Sequence, residues 1–397
     1  MPYATGRVYH DADAHLMELA DFLAEHAPTK WRDRMPRLGV SAGIGGDHEP
    51  VDWAAKTCPL HLDPEYRANE AEVLLRKNYL AVGSFEREHR AQALDQLGFA
   101  SQLVFSTFSA GPLLAAEHGD DVELAYAMAD AHNRGMVHFC EVDPRLLPVG
   151  YVALMDIERA AVQVRDAIDA GCKALMVASA CPRNHSPSHV GLDPVWAQAQ
   201  EAGVPIVMHV GGGMSTFPKA YFRNGLPVPP DFHGGAENFR SVDYMAIPID
   251  PAQTMATLIL DGVLDRFPEL RWGIIEQGAS WLPSWLRYLD SAFDAFRKNE
   301  ERLQKLSARP SEIARRQLRV TPYPGEDAGW IVRNSAPEMC MFSSDYPHVE
   351  GGRNPLKRFD SALEGCSDVE LELFYAGNMA DLMGPHIPDV TPVGHQG

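Results

Sequence analysis

Four short stretches of the chain combine acids and imidazoles in ways that suit a divalent cation. In His10-Asp11-Ala12-Asp13-Ala14-His15, Asp13 and His15 stand two residues apart. On an extended chain such residues share a face, so a hard carboxylate oxygen and an imidazole nitrogen can reach one ion. Asp11 could join them. The competing reading of an Asp-x-His near an amino terminus is a local turn or cap. His209 follows the apolar run Val204-Pro205-Ile206-Val207-Met208 and precedes three glycines, where a ligand or a hydrogen-bonded core histidine would both fit. Glu276 ends the run Trp272-Gly273-Ile274-Ile275. A buried carboxylate is costly unless paired, protonated or bound to metal, so Glu276 is a ligand, a tuned acid/base or half of a salt bridge. Asp345 ends Met341-Phe342-Ser343-Ser344 and is the candidate for a further metal oxygen and for the base that takes a proton from bound water. An Asx-turn ahead of Pro347 is its alternative. His348 reads as a pocket residue beside the ion rather than a ligand.

These side chains need elements that bring them together. Residues 149–154, 174–177 and 205–209 are apolar segments of strand length, separated by stretches with helical spacing. Asp156 is placed to cap the first helix and Gly171 to end it; Asp193 with Pro194 reads as the start of the second, and Gly203 as its stop. Further strands are expected at 8–12, 102–106, 272–275, 318–321 and 340–343, eight in all. Parallel strands joined by crossover helices, eight in number, predict an α/β fold of the TIM (β/α)8 barrel type, with ligands presented at the carboxyl ends of strands. A doubly wound open sheet is the alternative, but its glycine-rich phosphate fingerprint is missing. One barrel is expected over 1–384, distorted by insertions at about 28–79 and 211–243 that cap its C-terminal face, with 385–397 as a loosely packed tail. The second insertion follows a strand end and is expected to be a lid.

Composition excludes several partners. The formal charge of -19 over 397 residues repels nucleic acid and anionic lipid, while saying little about a small substrate, because a bound cation reverses the local potential. No apolar run is long enough to cross a bilayer. The amino terminus lacks an export signal, so a cytoplasmic location is expected. The 6 cysteines contain no C-x2-C pair, so reduced thiols are expected rather than disulfides or a zinc knuckle. Neither an H-E-x-x-H helix nor a G-x-S-x-G nucleophile elbow is present.

With these residues in view, the sequence resembles the amidohydrolase-related family, the branch of the amidohydrolase superfamily that includes aminocarboxymuconate semialdehyde decarboxylase and related ring decarboxylases. The resemblance spans nearly the whole chain. It includes Ala93-Leu94-Asp95-Gln96-Leu97-Gly98, the phrase Gly262-Val263-Leu264-Asp265-Arg266-Phe267-Pro268-Glu269-Leu270, Trp281-Leu282-Pro283, the stretch 378–384, and above all Ser344-Asp345-Tyr346-Pro347-His348. It implies that His15 and His209 are metal-binding histidines and that Asp345 binds metal and handles the proton. The chain departs from the H-x-H pattern in having Asp13 where the first histidine would stand, and has Glu276 where the decarboxylases place a histidine. Such an oxygen-richer set suits one zinc, manganese or iron ion, zinc being the first expectation. No lysine is placed to be carboxylated between two ions, so a mononuclear site is implied, and the family suggests a homodimer.

The expected chemistry is hydrolysis of a small organic substrate, ring-bearing or carboxylate. One divalent ion held by Asp13, His15, His209 and Asp345 would lower the pKa of bound water from about 15.7 towards about 7. Asp345, Glu276 and His209 form the catalytic set, with Glu276 orienting water or serving as a fifth ligand. His348, Trp281 and His233 are substrate-binding candidates, and Tyr244 and Arg134 are further pocket groups. A non-oxidative decarboxylase or hydratase on the same site is the first alternative. A catalytically silent ligand-binding barrel is the second.

Overall fold

A strand that is apolar along its whole length can be buried only if both faces of its sheet are covered, and this constraint organises the fold. In the structure, a computed structural model describing residues 1–39, 53–213, 219–227 and 240–389, seven parallel strands lie side by side in chain order. They are β1 (His10–Leu16), β2 (Ser101–Ser106), β3 (Leu146–Tyr151), β4 (Ala174–Met176), β5 (Ile206–His209), β6 (Trp272–Ile275) and β7 (Leu318–Val320). Every residue of each is buried.

The sheet closes through an irregular eighth segment, 340–346. Met341 N donates to the Val320 carbonyl at 2.9 Å on the β7 side, and Ala12 N donates to the Phe342 carbonyl at 3.1 Å on the β1 side. Asp345 N then reaches the Asp13 carbonyl at 2.9 Å, and His15 N the Tyr346 carbonyl at 2.7 Å. With both edges used the chain forms a distorted TIM barrel, the architecture expected from the sequence. The expected strand at 340–343 is therefore a closing segment rather than a regular strand. Its ladder is interrupted by a register shift in β1 between Asp11 and Ala14 and by the left-handed backbone of Asp345, φ 52°.

That register shift also corrects the reading of the first strand. β1 begins two residues later than the expected 8–12 and continues through Leu16, so Asp13 and His15 lie inside the strand instead of beyond it. The helix Ile157–Ala170 has its expected ends: the Asp156 side chain accepts from Arg159 N, and Gly171 takes φ 111°. The helix Asp193–Ala202 starts differently. Leu192 is the cap, and the Asp193 carboxylate pairs instead with the Arg266 guanidinium at 2.8 Å. Trp196 of this helix packs on Trp272 of β6, ring centroids 5.1 Å apart, which seats the helix against the barrel.

The first insertion is more structured than a loop. Among its described residues are the helices Trp53–Leu62 and Pro64–Ala68 and two single turns, Glu70–Glu72 and Asn78–Leu80. After Gly384 the chain does not leave the barrel at once, since His386 Nε2 bonds the Ala202 carbonyl at 3.0 Å.

Closure leans on one buried acid. Asp11 accepts from Ser344 N and Ser344 Oγ, both at 2.7 Å, and from Gln102 Nε2 at 2.8 Å, tying β1, β2 and the eighth segment together. Burial pushes its carboxyl up to about 7, and the Ser344 and Gln102 donors oppose that rise. Asp11→Ala strands these donors in the interior at about 1–3 kcal/mol each. A clear drop in the urea midpoint of unfolding is expected, and an unchanged midpoint would remove Asp11 from this role.

Candidate metal centre

Asp13 and His15 from β1, His209 from the end of β5 and Glu276 just past β6 converge at the barrel mouth. One ligand atom from each of the four lies within 4.8 Å of the others. Asp13 Oδ1 is 3.2 Å from His15 Nε2 and 3.3 Å from His209 Nε2, and Glu276 Oε2 is 3.3 Å from the same His209 nitrogen. Asp345 adjoins this group, with Oδ1 3.5 Å from His15 Nε2 and 3.1 Å from His348 Nδ1.

The protons decide what this cluster can hold. His15 Nδ1 lies 3.2 Å from the Ser106 carbonyl and His209 Nδ1 2.9 Å from the Val210 carbonyl, so in both rings Nδ1 carries the hydrogen. His15 Nε2 then turns a lone pair towards the acids, and His209 Nε2 faces Asp13 Oδ1 at 3.3 Å. Burial pushes His15 down to about 4, and His348 nearby pushes the same way, so its neutral form is the stable one. Asp13 Oδ2 and His15 Nε2 are buried without a hydrogen-bond partner, and buried Asp345 meets His348 as an ion pair. Acidic oxygens and imidazole nitrogens gathered this closely in a dry site fit a divalent cation. Two imidazoles with acidic oxygens suit zinc, manganese or iron without choosing among them.

The backbone is bent to present the acids. Glu276 and Asp345 both occupy the left-handed region, φ 52°, a strained state for a residue with a Cβ. Thr321 Oγ1 receives Glu276 N at 2.8 Å and Tyr323 OH donates to the Glu276 carbonyl at 2.8 Å. Behind Asp345, Gly351 packs so closely that an added Cβ would collide with the Ser344 carbonyl. Arg90, wholly buried, donates to the His15 carbonyl at 3.0 Å and lies over the Tyr346 ring at 4.9 Å. Glu18, also buried, accepts from the backbone of Thr107, Phe108 and Ser109 at 2.8–3.0 Å and so shapes the loop after β2.

That loop sets the state of His348. Thr107 Oγ1 donates to the Leu16 carbonyl and therefore accepts from His348 Nε2 at 2.9 Å. A second proton, on Nδ1, faces Asp345. Burial opposes this charge, yet Asp345 outweighs it and raises His348 above its ordinary value. The ring stacks on His15 with centroids 3.9 Å apart. Lys77 adds a second cation on this side. Burial pushes its amine down to about 8 while Asp345 and Glu350 favour the charged form, and Nζ is buried without a hydrogen-bond partner. Neither Lys77 nor Thr107 is marked in the sequence, because both come from segments whose spacing carries no motif.

The other pocket candidates fall in different places. Asp11, a possible ligand from its spacing, is engaged with Ser344 and Gln102 instead. Trp281 directs its indole N–H to the Gly278 carbonyl at 2.8 Å and its ring against Trp285. Tyr244 packs on Tyr323 with the rings tilted by 36° and their centroids 5.3 Å apart. Arg134 is exposed and bonds the His26 carbonyl, so it is not a pocket group. His233 lies outside the described residues, as does much of the expected lid.

A parallel barrel with acids and imidazoles gathered at its mouth defines a metal-dependent class of TIM-barrel proteins. The amidohydrolase family profile matches residues 11–384, and the chain belongs to that family. Its fold is similar to an amidohydrolase from Mycobacterium avium subsp. paratuberculosis, with 24% identity, TM-score 0.70, and 96% of this chain and 100% of that one covered. It is also similar to 5-carboxyvanillate decarboxylase from Novosphingobium aromaticivorans, complexed with manganese and 4-hydroxy-3-methoxy-5-nitrobenzoic acid (17% identity, TM-score 0.63, 96% and 98% covered). A third is a dihydroxybenzoic acid decarboxylase from a Polaromonas species with bound manganese and 2-nitroresorcinol (14% identity, TM-score 0.59, 95% and 97% covered). No curated protein matches the chain in sequence. No helix among the described residues is long and apolar enough to cross a membrane.

If the cluster holds a cation, the paired substitution Asp13→Asn with His209→Gln will lower the divalent metal bound per chain by one equivalent while leaving the circular dichroism spectrum intact. Metal content equal to that of the unsubstituted protein would rule this centre out.

Proposed function

We propose that the chain is a metal-dependent lyase that releases carbon dioxide from a small carboxylic acid whose carboxylate sits on an aromatic or vinylogous carbon. The observation that carries this reading is the Asp345–His348 pair. Hydrolysis asks for a free base to take a proton from water, whereas decarboxylation asks for a proton to replace the departing carboxylate. His348, held by Thr107 through Nε2–H, has its protonated form favoured by Asp345 at 3.1 Å, which suits the pair to supply an acid. The bond from carbon to carboxylate breaks, its electron pair stays on carbon, and the pair's proton is delivered there as carbon dioxide leaves. Solvent then restores the proton.

Asp13, His15, His209 and Glu276 would hold the divalent ion, with Asp345 beside it, and the ion when bound would supply Lewis-acid stabilisation of a substrate oxygen. Lys77 and His348 place two cations on the Asp345 side, which favours an anionic substrate. The manganese and hydroxybenzoate-like ligands bound by the structurally similar decarboxylases support the same reading, and make manganese as good a candidate as zinc.

A water-activating hydrolase is the second reading. It is favoured by Glu276, whose carboxylate 3.3 Å from His209 is a further basic oxygen next to the metal position. A catalytically silent barrel fits less well, because buried acids and imidazoles without partners are costly to keep unless something uses them.

The deciding assay supplies manganese or zinc and a panel of hydroxybenzoic and unsaturated dicarboxylic acids, alongside simple esters and lactones, and measures carbon dioxide and hydrolysis separately. Carbon dioxide release from the acids is expected. Asp345→Asn should reduce it by about 10²–10⁴-fold and His348→Gln by at least about tenfold, as removal of an acid/base pair does. Turnover of esters or lactones with no carbon dioxide from any acid would transfer the assignment to hydrolysis.

A further inference from the structure

A second group of donors lies outside the barrel mouth, between the first insertion and the helix that follows it. Cys58 and His61 stand three apart on the helix Trp53–Leu62, and Glu86 and His89 stand three apart where the helix Arg87–Leu97 begins. Each pair therefore presents one face. His61, Glu86 and His89 each offer a ligand atom within 4.8 Å of the others. His61 Nδ1 is 2.8 Å and His89 Nδ1 2.9 Å from the same oxygen, Glu86 Oε2, and Cys58 Sγ is 3.7 Å from Oε1.

The proton count again points to a cation. The His61 side chain is 0% exposed, and its Nε2 is 2.9 Å from the Tyr79 carbonyl, which fixes the hydrogen on Nε2. Nδ1 makes no hydrogen bond and is aimed at the carboxylate. Left neutral, it would set a lone pair against an acidic oxygen. Charged, it would bury an imidazolium.

We propose that Cys58, His61, Glu86 and His89 form a structural zinc site, separate from the centre at the barrel mouth, that clips the first insertion to the helix Arg87–Leu97. A thiolate, two imidazoles and one carboxylate make a closed four-coordinate set. Such an ion, with bonds of about 2.0–2.3 Å, holds its donors roughly 3.3–3.5 Å apart; His61, Glu86 and His89 already lie on that scale, and Cys58, 3.7 Å from the Glu86 carboxylate, has to turn inward to complete the set. On binding, the Cys58 thiol gives up its proton to solvent and a sulfur–zinc bond forms, with no change of oxidation state. The clip would fix the turn Asn78–Leu80, whose Tyr79 carbonyl is held by His61, whose Tyr79 hydroxyl donates to the Glu18 carbonyl, and whose Asn78 N–H donates to Pro347 beside the catalytic segment.

The test uses the full chain carrying Asp13→Asn and His209→Gln, so that the barrel-mouth centre does not contribute. After purification with zinc it is expected to retain about one equivalent, and His61→Gln with His89→Gln in the same background to retain none. Cobalt in place of zinc should give a thiolate-to-metal charge-transfer band that Cys58→Ser abolishes, a signal the sulfur-free centre at the mouth does not produce. A well-folded background protein that binds no zinc overturns the site. Zinc bound with no thiolate band overturns the four-ligand set. Either result leaves the lyase reading untouched, since that reading is tested by carbon dioxide release.

Discussion

In a dry interior two electron pairs aimed at each other repel, and the barrel mouth brings imidazole nitrogens and acidic oxygens within 3.2–3.5 Å of one another. The carbonyls of Ser106 and Val210 take the Nδ1 hydrogens of His15 and His209 and so turn both Nε2 atoms towards the acids. Asp13, on the same strand as His15, answers them with oxygen rather than with a donor. The tautomers are fixed by backbone atoms one strand or one residue away, so the arrangement is built into the barrel itself. A divalent cation at that point is the species proposed to satisfy these side chains together.

Around this point the fold spends further buried acids on geometry alone. Asp11 holds Ser344, the residue before Asp345, by its backbone and its hydroxyl. Glu18 gathers three successive N–H groups after β2, which places Thr107 under His348. Arg90 fastens the His15 carbonyl from outside and covers Tyr346. These contacts converge on β1 and the eighth segment, the seam at which the barrel closes. The stability of the closure and the accuracy of the site therefore rest on the same hydrogen bonds.

What the sequence disclosed follows from how local its causes are. Apolar runs followed by helical spacing foretold the barrel, and capping at Asp156 and Gly171 was read correctly because it depends on neighbouring residues only. The polar endings of β5, β6 and the eighth segment stood out against their apolar runs, so His209, Glu276 and Asp345 were visible. The extent of β1 was not, because its buried half is written in His and Asp, which read as a loop until their partners on other strands are known. The same limit hid Lys77 and Thr107, whose significance lies in the proximity of distant segments. It also misplaced Asp11, indistinguishable from Asp13 by spacing but separated from it by a register shift.

The shared φ of 52° at Glu276 and Asp345 has a consequence for how this chain can change over time. A glycine at either place would relax the main chain by about 1–3 kcal/mol and remove the very carboxyl the bend exists to display. Selection for heat resistance alone would pull both sites towards glycine. If both carboxyls serve the site, a descendant freed from that demand would be expected to lose the acids before it loses the barrel.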